Sequence, residues 1–217
     1  MRTLVIDTAL GACTVAVCQA DRIAGLRAEV MARGHSERLG GFVREAVMAS
    51  GAGFDAIDRI GVTVGPGSFT GLRVGLAFAL GLGQALDRPV VGVSSLRALA
   101  WSIDGGPPGP VAAVIDARRG EVYAQTFLDG EPLDDARATA VETARAALTG
   151  DGRSWRWVGN GAALVVPDVG PVVTEPTALA LAALTGSLEP SLHPPRPLYL
   201  RAPDATPPTR LPGQARA

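Results

Sequence analysis

The chain contains no lysine, and all 20 of its Lys and Arg residues are arginine. The absence excludes a Schiff-base lysine, a lysine general base and the phosphate-binding lysine of a P-loop. Histidine is almost as scarce: the two histidines, His35 and His193, lie far apart in the chain. A metal site built on a histidine pair at helical spacing is therefore excluded as well, and we predict no metal site.

Cysteine is also rare, with Cys13 and Cys18 as the two cysteines of the chain. Both fall on one predicted strand, and a spacing of five directs them to opposite faces of that strand. We therefore predict two small buried side chains rather than a disulfide or a shared metal site.

Neither a charge excess nor a long apolar run is present. The net charge is −1, so no basic surface of the chain's own is indicated, and a role in RNA chemistry would use positive charge from a partner. No apolar run reaches the roughly 18 residues of a membrane span without interruption. The N-terminal residues "MRTLVIDTA" lack the apolar segment of a secretory signal, and we expect a cytoplasmic protein without membrane contact.

Strand and helix patterns alternate through the first half. Three strand patterns come first, in "RTLVIDT", "CTVAVCQ" and "IAGLRAEV". A helix with Ser36 as its N-cap is predicted in "SERLGGFVREAVMAS". There follow a strand in "RIGVTV", a helix over 69–86, a strand in "PVVGV" and a helix begun by Ser94 and Ser95.

The beginning of the first half recurs in the second. "VIDTALGACTVAV" from Val5 is echoed by "VIDARRGEVYAQTF" from Val114, and a glycine follows each aspartate by four residues, at Gly11 and Gly120. The turn-rich stretch "DGGPPGP" at 104–110 separates the two copies. Further helices in 139–150 and 175–186, a strand in 156–160 and a proline-rich end complete the second copy. We predict an α/β fold of two duplicated subdomains, 1–104 and 105–217, facing each other across a cleft.

A glycine-rich loop opens the helix in "GPGSFTGLRVGLAFALGLGQAL", residues 65–86. It lacks the lysine of a P-loop, and Pro66 removes one amide donor. It also departs from the dinucleotide-binding G-x-G-x-x-G pattern, because Gly71 comes one residue too late. A weak anion contact at the N-terminus of the helix remains open.

Small residues repeat at intervals of four along this helix, at Gly71, Gly75, Ala79 and Gly83. An interior glycine costs a helix about 0.5–1 kcal/mol relative to alanine, so close packing must compensate for the stripe. Leucines flank the stripe, and the helix is apolar nearly all round. Two alternatives stay open: the stripe packs against a second chain, or it packs against this chain's own sheet. Arg73, the one charge in the helix, suits a rim salt bridge or a helix cap.

Several motifs together resemble the bacterial tRNA threonylcarbamoyladenosine biosynthesis protein family TsaB, also named YeaZ. They are "LVIDTA" with "TVAV", "GHSERL", "GVTVGPGSFTGLRVGLAFALGLGQAL", "VIDARRGEVYAQTF" and, more weakly, "PLYLRAPDA". They extend over nearly the whole chain, and the segment from Gly61 to Arg73 is the most specific.

The resemblance implies an actin-like, sugar-kinase-like ATPase fold of two duplicated ribonuclease H-like subdomains with mixed sheets flanked by helices. It implies a non-catalytic dimerisation subunit that activates a catalytic paralogue, TsaD, beside the ATPase TsaE. Together they transfer a threonylcarbamoyl group to the adenosine 3′ of the anticodon in tRNA. The subunit pairs with itself when alone and meets tRNA within the complex, while ATP and metal belong to the catalytic partner. Partner contacts are expected on the helix over 69–86, at Phe69, Thr70, Gly71, Leu72, Arg73, Gly75, Leu76, Ala79 and Gly83.

The chain departs from the catalytic members of this superfamily. "VSSLRALAW" stands where those members carry a metal-binding histidine pair, and the first hairpin turn reads Asp7-Thr8-Ala9 without the serine common in the family. Asp7, Thr8 and Asp116 mark a vestigial nucleotide cleft, either as magnesium or general-base groups or as hydrogen-bonded turn residues. Two rival hypotheses are a kinase-like ATPase or peptidase acting alone and a self-sufficient homodimer.

Three further residues are assigned from their places in the motifs. His35 serves either the entry of the helix that follows it or a partner contact. Tyr199 and Arg201, in "YLR", are expected to anchor the C-terminal segment against the second subdomain.

Overall fold

The first half of the chain forms a five-stranded mixed sheet. The structure, a computed structural model, describes residues 1–31, 33–104, 106–150 and 152–201. In the order β3-β2-β1-β4-β5, the central β1 pairs parallel with β4 and antiparallel with β2. The strands are β1 (Arg2–Asp7), β2 (Ala12–Gln19), β3 (Arg22–Val30), β4 (Arg59–Gly65) and β5 (Val90–Ser94).

The second half repeats the pairing of the three central strands. Its first strand, β6, pairs antiparallel with β7 on one side and parallel with β10 on the other, as β1 does with β2 and β4. This correspondence confirms the duplication inferred from the repeated Val-Ile-Asp. The strands are β6 (Pro110–Arg118), β7 (Glu121–Leu128), β8 (Glu131–Pro132), β9 (Arg137–Ala140) and β10 (Arg156–Val158).

Helices cover both faces of each sheet, so that the molecule has five layers. The pair α1 and α2 lies on the outer face of the first sheet, α3 and α6 lie between the sheets, and α4 and α5 cover the outer face of the second sheet. The helices are α1 (His35–Ala49), α2 (Phe69–Leu86), α3 (Ser95–Trp101), α4 (Val141–Thr149), α5 (Ala162–Val165) and α6 (Ala178–Ser187), with a short 3₁₀ helix at Phe54–Ala56.

The helix α6 joins the two halves. It comes from the sequence after the predicted boundary at 104 and 105, yet it packs on β1 and β4 of the first sheet. Leu181 and Leu184 are buried there with Val5 and Val91. Arg59 of β4 donates from Nη1 to the carbonyl oxygens of Thr185, Gly186 and Leu188, at the C-terminal end of α6. The first sheet therefore depends on residues from the second half to cover its inner face.

The strand β2 is buried on both faces, which explains its nearly continuous apolar sequence. Cys13 lies in the core beneath α1 and α2, and Cys18 lies in the core beneath α6. Both cysteines are free and fully buried, on opposite faces as predicted.

The start of α1 differs from the prediction. The helix begins at His35, and Gly34, with a φ of +89°, is its N-cap residue without a side-chain cap. The predicted N-cap Ser36 lies inside the first turn, where its hydroxyl donates to Glu37 Oε2 at 2.9 Å. The prediction of Ser36 as N-cap is wrong, because the left-handed Gly34 turns the chain into the helix two residues earlier.

Candidate functional site

Asp7 is buried at the carboxyl end of β1, where the cleft was predicted. Asp7 Oδ1 accepts hydrogen bonds from the backbone N–H of Ala9 at 2.9 Å and from the Thr63 hydroxyl at 2.8 Å. Burial raises the pKa of Asp7 above its usual range, and the two hydrogen bonds and the nearby His35 oppose that rise. Asp7 thus serves as a hydrogen-bonded residue of the first hairpin turn.

Thr8 is fully buried beside it. Its hydroxyl donates to the carbonyl oxygen of Gly71 at 2.8 Å, which joins the first hairpin turn to the first turn of α2. The hydroxyl that would meet a ligand in a nucleotide-binding turn is thus used within the chain.

Asp116 repeats the geometry of Asp7 at the end of β6. Its Oδ1 accepts from the backbone N–H of Arg118, two residues on, at 2.7 Å, and its Oδ2 pairs with the Arg118 guanidinium at 3.2 Å. The backbone N–H of Asp116 donates to Asn160 Oδ1 at 2.9 Å. Both aspartates therefore support turns, and a magnesium or general-base role for either stays a prediction.

Glu175, which sequence reasoning missed, closes the first turn from the second half. Its Oε1 accepts a hydrogen bond from the backbone N–H of Gly11 at 3.0 Å, whereas Oε2 is buried without a hydrogen-bond partner in the described residues. Burial, followed by the negative charge of Asp7, raises the pKa of Glu175 to about 7. A carboxylate thus lies on the backbone amide that would otherwise be open to an anion.

The first hairpin turn also fills the glycine-rich loop before α2. The backbone N–H of Ser68 donates to the carbonyl oxygen of Ala9 at 2.7 Å, and a Cβ at Gly67 would overlap that oxygen. Ser68 caps α2, because its hydroxyl accepts from the backbone N–H of Gly71 at 3.2 Å. The glycine of this loop therefore permits close approach of the chain's own backbone.

The glycine stripe of α2 faces the chain's own sheet. A Cβ at Gly71 would overlap the Thr8 carbonyl oxygen, one at Gly75 would overlap the Thr8 hydroxyl, and one at Gly83 would overlap the Val90 side chain. The prediction of a partner contact is therefore corrected for the buried members of the predicted set: Gly71, Leu72, Gly75, Leu76, Ala79 and Gly83. The stripe therefore packs against the chain's own sheet rather than against a second chain.

The opposite side of α2 remains open. Phe69 and Leu80 are 55% and 47% exposed, and the predicted contacts Thr70 and Arg73 are exposed on the same side. Ala77 and Gly81 are exposed on this side too, and a Cβ at Gly81 would meet no atom of the described residues within 4 Å. The neighbouring α1 adds another such position at Gly41. The name α1–α2 face is used here for Ala77, Leu80 and Gly81 of α2 together with Gly41 of α1, where small or apolar positions are open to the surface.

An aromatic cluster stands at the N-terminal end of α2. The ring of Tyr199 lies 5.5 Å from that of Phe69, centroid to centroid, and the Arg73 guanidinium lies 3.8 Å from the Phe69 centroid. Arg73 Nε also donates to the Tyr199 hydroxyl at 3.3 Å.

The C-terminal segment holds Tyr199 in that place. The backbone N–H of Leu198 donates to the carbonyl oxygen of Val64 at 2.7 Å, and Arg201 forms an ion pair with Glu121 of β7. The segment therefore runs from the first sheet to the second hairpin. Arg201 contacts the second half as expected, whereas Tyr199 contacts α2 of the first.

His35 is buried at the first turn of α1, with Nε2 lacking a hydrogen-bond partner in the described residues. No group of three or more His, Cys, Asp and Glu residues that could hold a metal ion occurs in the described part of the chain.

By length and composition alone, α2 could cross a membrane, and it is the one described helix that passes this test. A third of it is buried within the chain, and a core helix of a globular protein passes the same test. The helix is weak evidence for a membrane span.

Three comparisons with known proteins agree with one another. The family model of TsaD, tRNA N6-adenosine threonylcarbamoyltransferase, matches residues 11–155. Uncharacterized protein Rv3421c of Mycobacterium tuberculosis is 37% identical over 94% of this chain and 93% of its own length. The tRNA threonylcarbamoyladenosine biosynthesis protein TsaB of Escherichia coli is 40% identical over 57% of this chain and 53% of its own. The solved structure of YeaZ from Pseudomonas aeruginosa, 30% identical, superposes with a TM-score of 0.74 over 92% of this chain and 99% of that one.

Proposed function

The chain belongs to the TsaB/YeaZ family, within the group described by the TsaD family model, and we propose that it is the non-catalytic dimerisation subunit of a tRNA-modifying complex. In that complex a threonylcarbamoyl group is transferred to the adenosine 3′ of the anticodon in tRNA. The chain has the actin-like ATPase fold expected from its sequence. Its role in threonylcarbamoyladenosine biosynthesis is to bind and activate a TsaD-type partner through the α1–α2 face.

The filled cleft supports a non-catalytic role. The groups that would meet a nucleotide are engaged within the chain: the Thr8 hydroxyl by Gly71, the Gly11 amide by Glu175, and the glycine-rich loop by Ala9. Asp7 and Glu175 place two carboxyl groups close together, which is unfavourable for the phosphates of a nucleotide. ATP and metal accordingly belong to the catalytic partner, as does the chemistry.

Gly81 is the observation that carries the proposal. An exposed glycine within a helix costs stability, about 0.5–1 kcal/mol relative to alanine, and no atom of the described residues comes within 4 Å of a Cβ built at Gly81. With Ala77 on the turn before it and Leu80 next to it, Gly81 lets another helix approach the backbone of α2 and bury apolar surface. The small residues proposed to contact a partner are therefore the exposed Ala77 and Gly81, on the side of α2 away from the buried glycine stripe.

A partner of the same fold fits this face. Because the TsaD family model matches this chain, a TsaD-type protein presents an equivalent helix pair, and two such pairs pack about a pseudo-two-fold axis. A second copy of this chain offers the same surface, which gives a homodimer when the chain is alone. TsaE is a further partner, and tRNA is bound only within the complex, in the cytoplasm.

Gly81→Leu tests the proposal. The variant is expected to fold with at least the stability of the wild type, because leucine forms helix better than glycine and the space around Gly81 is open. It is expected to lose both the homodimer and the mixed species with TsaD, measured by light scattering coupled to size exclusion. Gly81→Ala, which adds a single methyl group, is the matched control and keeps most of the pairing. Full pairing by a folded Gly81→Leu protein would refute the α1–α2 face as the contact.

A further inference from the structure

Arginine and aromatic side chains gather along the C-terminal segment, on a surface named here the tail strip. The strip follows the extended segment from Arg196 to Arg201, which passes the N-terminal end of α2 and reaches the second hairpin. Its members are Phe69, Arg73, Arg118, Arg196, Tyr199 and Arg201.

The tail strip carries an excess of positive charge on a chain whose net charge is −1. Two carboxylates lie among its arginines: Asp116 pairs with Arg118, and Glu121 pairs with Arg201. Arg118 nevertheless keeps 84% of its side chain exposed, and Arg73 and Arg196 are exposed as well. The arginines outnumber the carboxylates, so the strip is suited to a polyanion.

Two aromatic rings interrupt this row of arginines. Phe69 is 55% exposed and Tyr199 is 46% exposed, although the two rings contact each other. Arg73 contacts both rings, and the hydrogen bond from Leu198 to Val64 fastens the segment that carries Tyr199. Ordered exposed rings beside guanidinium groups are the platform on which unpaired bases stack, because every base has a π-face.

We propose that the tail strip binds unpaired nucleotides of RNA, with bases stacked on Phe69 and Tyr199 and phosphates on the arginines. The proposal rests on the proposed function, in which the substrate is tRNA and its loops supply such nucleotides. In the extended segment Tyr199 stands between Arg196 and Arg201, so a base stacked on the ring would have arginines on both sides for its neighbouring phosphates. A protein partner is better matched by the α1–α2 face, where Ala77, Leu80 and Gly81 are small or apolar. Under this proposal the chain supplies part of the positive charge that its net charge led us to expect from a partner.

The test measures RNA binding and protein assembly separately. A fluorescein-labelled anticodon stem-loop RNA is titrated, at several salt concentrations, with the full chain in complex with its TsaD-type partner and with the full chain alone. The variants are Arg118→Gln, Arg196→Gln, Tyr199→Ala and Tyr199→Phe. Arg22→Gln, which removes an exposed arginine at the start of β3 away from the strip, is the matched control.

We expect each strip arginine variant to weaken binding and to reduce the slope of log K against log salt by about 0.7, the value for one phosphate on a single strand. Tyr199→Ala is expected to weaken binding roughly tenfold, whereas Tyr199→Phe keeps the ring and the affinity. Arg22→Gln is expected to leave both the affinity for RNA and the salt slope unchanged.

Two results would overturn the proposal. If Tyr199→Ala and Arg118→Gln weaken assembly with the partner but leave RNA binding intact, the tail strip is a protein contact. If the two variants change neither assembly nor RNA binding, the tail strip contacts neither the protein partner nor RNA. Should the wild-type chain form no mixed species at all, the proposed function fails, and the titrations of the chain alone still decide whether the strip binds RNA.

Discussion

The carboxylate of Glu175 accepts a hydrogen bond from the backbone N–H of Gly11 at 3.0 Å, although 164 residues separate them. The contact joins the segment before α6 to the first hairpin turn. It also brings a second carboxyl group into the electrostatic range of Asp7. The position of Glu175 therefore affects both the closure of the cleft and the charge within it.

Stability is expected to depend on pH through Glu175. Burial and the charge of Asp7 raise its pKa to about 7 in the folded chain, from a usual value of 4.5. The folded state then binds more protons than the unfolded state between these values, so this contribution to stability is present at low pH and is lost as pH rises from about 4.5 to about 7. Urea unfolding across that range should show the wild type losing stability relative to Glu175→Gln. If stability falls equally with pH in both proteins, Glu175 does not have the raised pKa assigned to it. Asp7, whose pKa is also raised by burial, contributes a decrease of the same sign in both proteins.

Gly75→Ala is expected to destabilise the chain by about 1–3 kcal/mol through overpacking. The added methyl group would overlap the Thr8 hydroxyl, which is held by its hydrogen bond to Gly71. Gly41→Ala, on the open side of α1, is the matched control and should stabilise the chain by about 0.5–1 kcal/mol. Urea unfolding measures both. A Gly75→Ala protein as stable as Gly41→Ala would mean that the stripe is not packed as described.

Arg59→Met is expected to cost about 1.5–3 kcal/mol, because the cation donates to the three carbonyl groups that end α6. The methionine keeps the apolar part of the side chain but supplies no donor. Arg44→Met, at an exposed position of α1, should change the free energy of unfolding by less than about 0.5 kcal/mol. Equal effects of the two substitutions would refute the role of Arg59 in fastening α6.

MgATP is expected not to bind the isolated chain at micromolar concentration. Ala9 fills the glycine-rich loop, and Glu175 occupies the Gly11 amide, so the phosphates have no place at the first turn. Isothermal titration measures this directly. Saturable micromolar binding with turnover of ATP would instead favour the rival hypothesis of a kinase-like ATPase acting alone.

Much of the fold could be predicted from the sequence because its signals are local. The repeated Val-Ile-Asp marks the two central strands, and the apolar run from Phe69 to Leu86 gives α2 with the bounds that the structure has. Such features depend on periodicity and on turn residues, which neighbouring residues determine.

The direction of the glycine stripe could not be predicted in the same way. Small residues at a spacing of four indicate that another element packs closely against the backbone of α2. The chain's own sheet and a helix of a second chain are both compatible with that pattern. Because α2 is apolar nearly all round, hydrophobic periodicity does not single out its inner face. The exposed Gly81 carries the same local signal as the buried Gly83.

The helix α6 was predicted at 175–186, but its place on the first sheet and the contact of Glu175 were not, for a related reason. Glu175 is a single acidic residue before a proline, and nothing near it in sequence indicates a contact with Gly11. The helix α6 is apolar on every side, so its sequence does not show which sheet it covers, and chain order alone placed it with the second half.

The placement of α6 has a consequence for synthesis on the ribosome. The strands of the first sheet are complete at Ser94, but the helix that shields their inner face ends at Ser187. At a translation rate of about 5–20 residues per second, the nascent first half waits roughly 5–20 s with apolar side chains uncovered. We therefore expect a polypeptide stopped at 104–110 to aggregate rather than to persist as an independent module.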